Sequence, residues 1–247
     1  TPEGVKPFPP TGYRTLDAVL RSVRSFYGSN DRNYSYSGMR GFGRPGDYNN
    51  RILLLVDGHA INDNVFGSAT VGTEMGGIDP RTVERIEIVR GPGSSLYGAN
   101  AMLAVINIIS REPKSMSPAQ LHIESGTDGY MKGGAAFAKV LENGVQLSIA
   151  GQASQIDGAD LYYEQYDDPA TNQGVADDLD WDEFYNVQGM IKSRNLQIQG
   201  VWASREKGIP TGPWGVDFND PDTWTMDNHA FLDAQYEHEF SESQSTR

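Results

Sequence analysis

"RGPGSSLYGANAMLAVINIISREP", residues 90–113, poses the question on which the fold turns. Gly91, Gly93 and Gly98 crowd around Pro92 and two serines, and an apolar run from Leu103 to Ile109 follows. A glycine-rich loop beside a strand can cradle a phosphate. It can equally be a tight turn that lets one piece of protein pack inside another. Gly93 to Gly98 has the spacing of a P-loop, but Ala99 and Asn100 stand where that chemistry needs Lys and Ser or Thr. Without the lysine a γ-phosphate would meet no counter-charge. A second pattern, "GFGRPG" at 41–46, fits G-x-G-x-x-G formally. A dinucleotide fingerprint needs a strand before it and a helix opening on it; here Pro45 interrupts and "DYNN" follows. Glycines that supply positive φ or close approach account for both loops.

Upstream of the opening stretch, "IDPRTVERIEIVRG" offers Asp79 as a helix cap with Pro80 at the first helical position. It then passes into a strand where Ile86 and Ile88 alternate with Glu87 and Val89. "RILLLVDGHAIND" reads as a buried strand, Ile52 to Val56, entering an Asp57-Gly58 hairpin turn. "TLDAVLRSVR" puts Leu16, Val19, Leu20 and Val23 on one helical face. These elements predict a compact α+β domain. Chemistry is sparse in it. There is no H-E-x-x-H and no G-x-S-x-G, and His59, His122, His229 and His238 are scattered. Cysteine is absent, so thiolate ligands and nucleophiles are excluded. The expectation is no catalytic residue, no resident metal and no cofactor.

Downstream, from residue 119, the texture changes to period two. "VQLSIAGQAS" sets Val145, Leu147, Ile149 and Ala153 against Gln146, Ser148, Gln152 and Ser154. "FYNVQGMIK" sets Tyr185, Val187 and Ile191 against Asn186, Gln188 and Lys192. "LQIQGVWAS" sets Leu196, Ile198 and Trp202 against Gln197 and Gln199. "HAFLDAQYEHEF" sets Ala230, Leu232, Ala234, Tyr236 and Phe240 against Asp233, Gln235, Glu237 and Glu239. With "AQLHIESG" and "YMKGGAAFAKV" that predicts six strands of about ten residues, enough to cross a bilayer at a tilt. Tight connections such as "ENG" and "SRN" alternate with long loops at 156–182 and 207–226. A soluble sandwich and a membrane barrel share the alternation; the aromatics Tyr185, Trp202, Tyr236 and Phe240 near strand ends suit an interfacial girdle.

Charge divides the chain at the same place. Residues 1–113 hold 12 Lys and Arg against 11 Asp and Glu, and residues 114–247 hold 8 against 22. Neither part has a basic surface for nucleic acid. Hydrophobic residues make up 38% of the 247, with no apolar run long enough for a spanning helix. The start at Thr1, without Met or an apolar leader, is what a trimmed chain or an internal piece would show.

"RNYSYSGMRGFG", "RILLLVDGHAIND", "IDPRTVERIEIVRGPGSSLYGANAMLAVINIISREP" and the alternating strands after them resemble the TonB-dependent outer-membrane receptors. The resemblance implies an α+β plug domain over residues 1–113, its N-terminus incomplete. After it, residues 114–247 form the N-terminal part of an antiparallel transmembrane β-barrel, six strands of an expected 22. It implies that "RGPGSSLYG" is part of the plug's packed core inside the barrel, with glycines serving turns and close packing. Glu84, Arg85 and Arg90 match charged plug positions that face complementary charges on the wall. Apical loops fall at Ser29–Tyr36, Gly43–Tyr48 and Asn62–Gly76, with Arg44, Asp47, Tyr48, Asn64 and Phe66 as candidate substrate contacts.

The implied function is import, without bond breaking, of a scarce large nutrient, foremost a ferric siderophore or related iron complex. The implied partners are outer-membrane lipid and TonB with its inner-membrane energising complex. The chain departs from the pattern in carrying no TonB box, and the first plug strand is only hinted at by "TPEGVKPFPP". The loop 156–183 carries ten carboxylates and no base; a solvated acidic loop is expected, with "DDLDWDE" as a weaker calcium candidate because it lacks the EF-hand glycine. Tyr162, Tyr163, Tyr166 and Trp181 could stack on a flat or sugar-like substrate. A barrel receptor for signalling or adhesion, and a soluble nucleotide-binding enzyme, are the alternatives.

Overall fold

The computed structural model describes residues 6–7, 13–72, 77–241 and 244–246. Helix α1 (Leu16–Arg21) starts where Thr15 accepts a hydrogen bond from the Ala18 N–H at 3.2 Å. Its Leu16 and Leu20 are fully buried, as the helical spacing requires. Asp79 is a cap, but of the single 3₁₀ turn Pro80–Thr82 rather than of a helix. Val83 already begins a strand, and the β-branched alternation after it wins over helix propagation.

The first part is built on a five-stranded sheet. Its strands are β1 (Lys6–Pro7), β4 (Ile52–Val56), β5 (His59–Ala60), β6 (Val83–Arg90) and β7 (Ala104–Ser110), in the order β1-β6-β7-β4-β5. The hairpin β2 (Phe26–Asn30) and β3 (Ser35–Met39) stands apart from it. The hinted first strand exists as a stub: Lys6 and Pro7 pair antiparallel with Ile86 and Arg85. All five residues of β4 are buried because both its faces are covered. Ile52, Leu54 and Val56 meet Leu16, Leu20, Ile106 and Ile108, while Leu53 and Leu55 meet Ala101 and Val105.

The glycine loop differs from expectation. Gly91 and Gly98 take φ of 113° and 81°, and the buried Gly93 would push a Cβ to 3.2 Å from the Tyr97 ring. Turn and packing are thus served. The segment as a whole is not core, however: Ser94–Ala99, including the one-turn helix α2 (Ser94–Tyr97), is exposed on the surface of this chain. The turn rises off the sheet and the chain dips back only at Ala101, which is what covers Leu53 and Leu55.

The second part is an antiparallel meander of β8 (Ala119–Ser125), β9 (Met131–Val140), β10 (Gln146–Ile156), β13 (Asp182–Lys192), β14 (Leu196–Gly208) and β15 (Trp224–Tyr236). A short pair, β11 (Leu161–Tyr162) and β12 (Val175–Ala176), decorates the loop between β10 and β13, and a hairpin of β16 (His238–Ser241) and β17 (Gln244–Thr246) follows β15. The faces are inverted relative to a water-soluble sheet. Leu121, Ile149 and Leu232 are 86%, 55% and 78% exposed, while Gln152, Asn186 and Gln199 on the other face are 5%, 1% and 4% exposed. Such a surface is stable where hydrocarbon bathes the apolar side and protein covers the polar side.

Trp202 pairs with Val187 at one level beside Tyr185, and Tyr236 pairs with Leu196 at the other. Six residues separate Trp202 from Leu196, about 20 Å along the strand, close to the height of an outer-membrane apolar band. The side chain of Phe240 lies outside the described residues. The tight turns 141–145 and 193–195 sit at the Tyr236 end, and the long connections 157–181 and 209–223 at the Trp202 end. The buried face of the meander lies on the first part. Val201 of β14 enters its apolar cluster, with Phe231 packed alongside.

Candidate functional site

A cavity of about 650 Å³ opens where the apical loops of the first part meet the upper ends of β13, β14 and β15. Asparagines and aspartates shape the loops by bonding their own backbone. Asp31 Oδ1 accepts from the N–H groups of Asn33 (2.9 Å) and Tyr34 (2.7 Å), and Oδ2 accepts from the Tyr36 hydroxyl at 2.6 Å. Asn49 donates to the carbonyls of Ser35 and Ala69 and accepts from the Ser37 N–H, joining three loops. Tyr48 and Asn49 both sit in the left-handed region, at φ 51° and 59°. For a tyrosine this costs about 1–2 kcal/mol, and the Asn49 bonds are what hold it there. The result sets the Tyr48 ring edge-on to Tyr34 at 5.5 Å, on the cavity wall.

The tip of the 62–68 loop is set by Asp63, which accepts from the N–H groups of Val65, Phe66 and Ser68. Burial opposes its charge, but these donors outweigh burial and keep its pKa below the ordinary value. Burial and the Asp227 carboxylate, 3.2 Å away, push the Tyr34 hydroxyl up to about 12, so it stays a hydrogen-bond donor. On the wall side, Arg205 forks onto Asp182 (2.6 and 3.0 Å) and donates to the Asn33 carbonyl at 2.8 Å. Lys207 reaches Asp180 at 2.8 Å, and Arg32 comes across from the plug to the same carboxylate at 3.2 Å. Tyr166 stacks on Phe218 at 4.2 Å, which ties the two long wall loops together.

Of the residues singled out in the sequence, Tyr48 and Phe66 line this cavity. Asp47 turns into its own loop, where it accepts from the Asn49 N–H at 3.1 Å and lies 4.0 Å from Arg51. Arg44 and Asn64 are exposed on neighbouring loops and are not among the lining residues. Arg85 forks between Glu84 (3.0 Å) and Glu87 (2.9 Å), and Arg90 reaches the Arg24 carbonyl, all within the first part. Arg205, Lys207 and Asp227 escaped sequence reasoning; Arg32 and Tyr34 lie in the expected apical loop Ser29–Tyr36 without being singled out, and Asp180 and Asp182 enter there only as part of the calcium candidate. One signal was available: Arg205 and Lys207 share the inward parity of Gln197 and Gln199 at the end of a strand.

The first part is fastened to the meander by polar contacts at several heights. Gln188 accepts from the Asp79 N–H at 2.7 Å and donates to the Thr82 hydroxyl at 2.6 Å. Asn186 donates to the Gly77 carbonyl, Gln235 to the Asp57 carbonyl, and Arg81 meets His122. Near the exit of the first part, Glu112 pairs with Lys114 and with Lys192 of the wall.

A small α+β domain packed on the polar face of a lipid-facing antiparallel sheet defines a plugged outer-membrane β-barrel. Comparison with known proteins gives the family. Residues 9–105 match the TonB-dependent receptor plug domain. The vitamin B12 transporter of Vibrio vulnificus (strain CMCP6) is 32% identical over 112 residues, covering 45% of this chain and 18% of that protein. The ferrichrome outer membrane transporter/phage receptor of Escherichia coli (strain K12) is 25% identical over 229 residues, covering 87% of this chain and 28% of that protein. In fold, the ferric-catecholate import receptor of E. coli K12 superposes with a TM-score of 0.63 at 17% identity, covering 94% of this chain and 34% of that one. Residues 9–105 thus carry the plug domain of TonB-dependent receptors, and the chain as a whole shares the fold of such outer-membrane receptors, in which the plug sits inside the barrel. It spans less than a third of the length of these curated relatives, which are named as transporters and receptors rather than enzymes.

Proposed function

We propose that this chain is the plug, residues 1–113, and the adjoining wall, residues 114–247, of a receptor that imports a ferric siderophore or related iron complex. Ligand binds in the apical cavity, with Tyr48 and Phe66 on its wall and Arg44, Asp47 and Asn64 on the surrounding loops. TonB, driven by the inner-membrane complex, then displaces the plug. Glu84, Arg85 and Arg90 meet charges of the wall beyond these six strands. The observation that carries the reading is the interface itself. Among the described residues, these six strands grip the plug through separate hydrogen bonds such as Gln188–Thr82 and Asn186–Gly77, with an apolar patch around Val201 and Phe231. Bonds of this kind contribute about 1 kcal/mol each and can be released in succession, unlike a dry apolar core. Uptake of radiolabelled ferric complex by cells carrying the full-length receptor is expected to vanish when TonB is deleted. Uptake unaffected by the deletion would overturn energised import, and binding with no uptake even in the TonB-replete strain would turn the assignment toward a receptor for signalling or adhesion.

The exit tether gives a pH prediction. Lys114 and Lys192 hold the Glu112 carboxyl down at about 2, below its ordinary 4.5. A depressed carboxylate contributes stability that is complete above its unfolded pKa and is lost as pH falls toward the folded one. The full-length receptor should therefore lose part of its melting temperature between about pH 4.5 and pH 2. Glu112→Gln should flatten that segment of the profile by lowering the melting temperature at neutral pH, by about as much as the wild type loses on acidification, so that the two profiles converge near pH 2. Parallel wild-type and variant profiles would show that the tether does not contribute.

A further inference from the structure

We propose that the apical cavity takes an uncharged or cationic complex rich in hydrogen-bonding groups and discriminates against polyanionic ones. This rests on the import reading above. Three cations line the cavity, and each is already engaged. Arg32 and Lys207 share Asp180, and Arg205 is forked onto Asp182 with its remaining arm on the Asn33 carbonyl. Asp63 and Asp227 also line it, so four carboxylates stand against three cations. Asp63 accepts three backbone donors and Asp227 one phenol, neither of which cancels a charge.

The approach has the same sign. The wall connections 157–181 and 209–223 carry eleven Asp and Glu and no Lys or Arg. The first reaches the cavity, where Asp180 lines it, and the second is packed on the first through Phe218 against Tyr163 and Tyr166. A ligand bearing several negative charges would approach through loops of its own sign. It would then have to strip Asp180 or Asp182 from its partners to find a counter-charge, and like-charge juxtaposition of this kind is how interfaces reject partners. The cavity does offer neutral donors and acceptors, among them Asn30, Asn33, Ser35, Ser68 and Asn228, and the rings of Tyr48 and Phe66. Those rings favour a cation or a flat neutral surface. Among iron complexes the distinction is one of ligand chemistry. Three hydroxamates, each singly negative, neutralise a ferric ion; three catecholates, each doubly negative, leave three negative charges.

The test titrates the full-length receptor in detergent micelles with a ferric trihydroxamate and a ferric tris-catecholate, read by protein fluorescence. At low salt the trihydroxamate is expected to bind about 30-fold more tightly or better, with the ratio shrinking in high salt as screening sets in. Equal or tighter binding of the tris-catecholate overturns the proposal. A second measurement does not depend on having found the natural ligand. The double substitution Asp180→Asn, Asp182→Asn bares Lys207 and Arg205, and should raise tris-catecholate affinity about tenfold or more over the wild type. No gain also overturns it. The import reading is judged separately by TonB dependence: uptake indifferent to TonB with the charge preference intact sinks import alone.

Discussion

A receptor carrying Thr82→Cys and Gln188→Cys, bridged by a short bis-methanethiosulfonate that joins both thiols as reducible disulfides, is expected to bind its ligand normally and to import almost none of it until reductant is added. The two side chains already touch at 2.6 Å, one on the plug and one on β13, and neither is in the part of the wall that lines the apical cavity. These 247 residues hold no cysteine, and any elsewhere in the receptor would be replaced by serine beforehand. A covalent bridge replaces a hydrogen bond that a modest pull can break with one that it cannot. If displacement of the plug is the transport step, the rate should fall on the order of tenfold or more, and reductant should restore it. Each single-cysteine receptor serves as its own control. Full-rate uptake through the bridged protein would show that everything from Asp79 onward stays in place. Motion would then be confined to the segment before it, and the proposal of wholesale displacement would fall.

The second large effect concerns the sign of the outer face. Ile149 stands in the middle of the apolar band, opposite Gly189 on one side and Phe137 on the other, and is more than half exposed. Ile149→Lys is expected to cost about 2–4 kcal/mol of folding stability in lipid vesicles, the depth-dependent penalty for a cation near the bilayer midplane. On a water-facing sheet the same exposed substitution would alter stability by about 0.5 kcal/mol or less. Urea titration of the full-length receptor in vesicles separates the two, and a change at the lower figure would put water, not hydrocarbon, on that face.

Much of the architecture was open to reading because its signals are local. The run Ile52–Val56, the Asp57-Gly58 turn and the alternation in "VQLSIAGQAS" each depend on neighbours a few residues away. Alternation alone left undecided which face meets water. The folded chain decides it: Gln152 and Asn186 are buried, Asn186 donating to the Gly77 carbonyl of the first part, and Ile149 turns outward. The glycine loop misled in one respect. Its φ values follow from residue type, but whether Leu96 packs or projects depends on where the chain re-enters at Ala101. The site was less legible still. Tyr48 and Phe66 belong to loops whose position the family motifs mark. Arg205 and Lys207 look like ordinary strand-end cations until pairing sets them beside Asp182 and Asp180, more than twenty residues earlier, and folding brings Asn33 to the same guanidinium. Contacts across such separations leave no periodic trace. Glu84 and Arg85 are the converse: conspicuous in the sequence, and here salt-bridged to each other.

The short crossing between the two halves sets a stroke length. Strand β7 ends at Ser110 and β8 begins at Ala119, so the leash is Arg111–Pro118. Fully stretched, eight residues reach about 30 Å, roughly the thickness of the membrane's hydrocarbon layer. A plug that kept its shape could travel no farther than this before it began to unzip β8, the strand on which the wall starts. It would hang just below the opening it had vacated, close enough to swing back once the pull ceased. If the plug is displaced as proposed, the leash would make it a hinged stopper with a built-in return, and any longer excursion would be drawn from the plug's own unravelling.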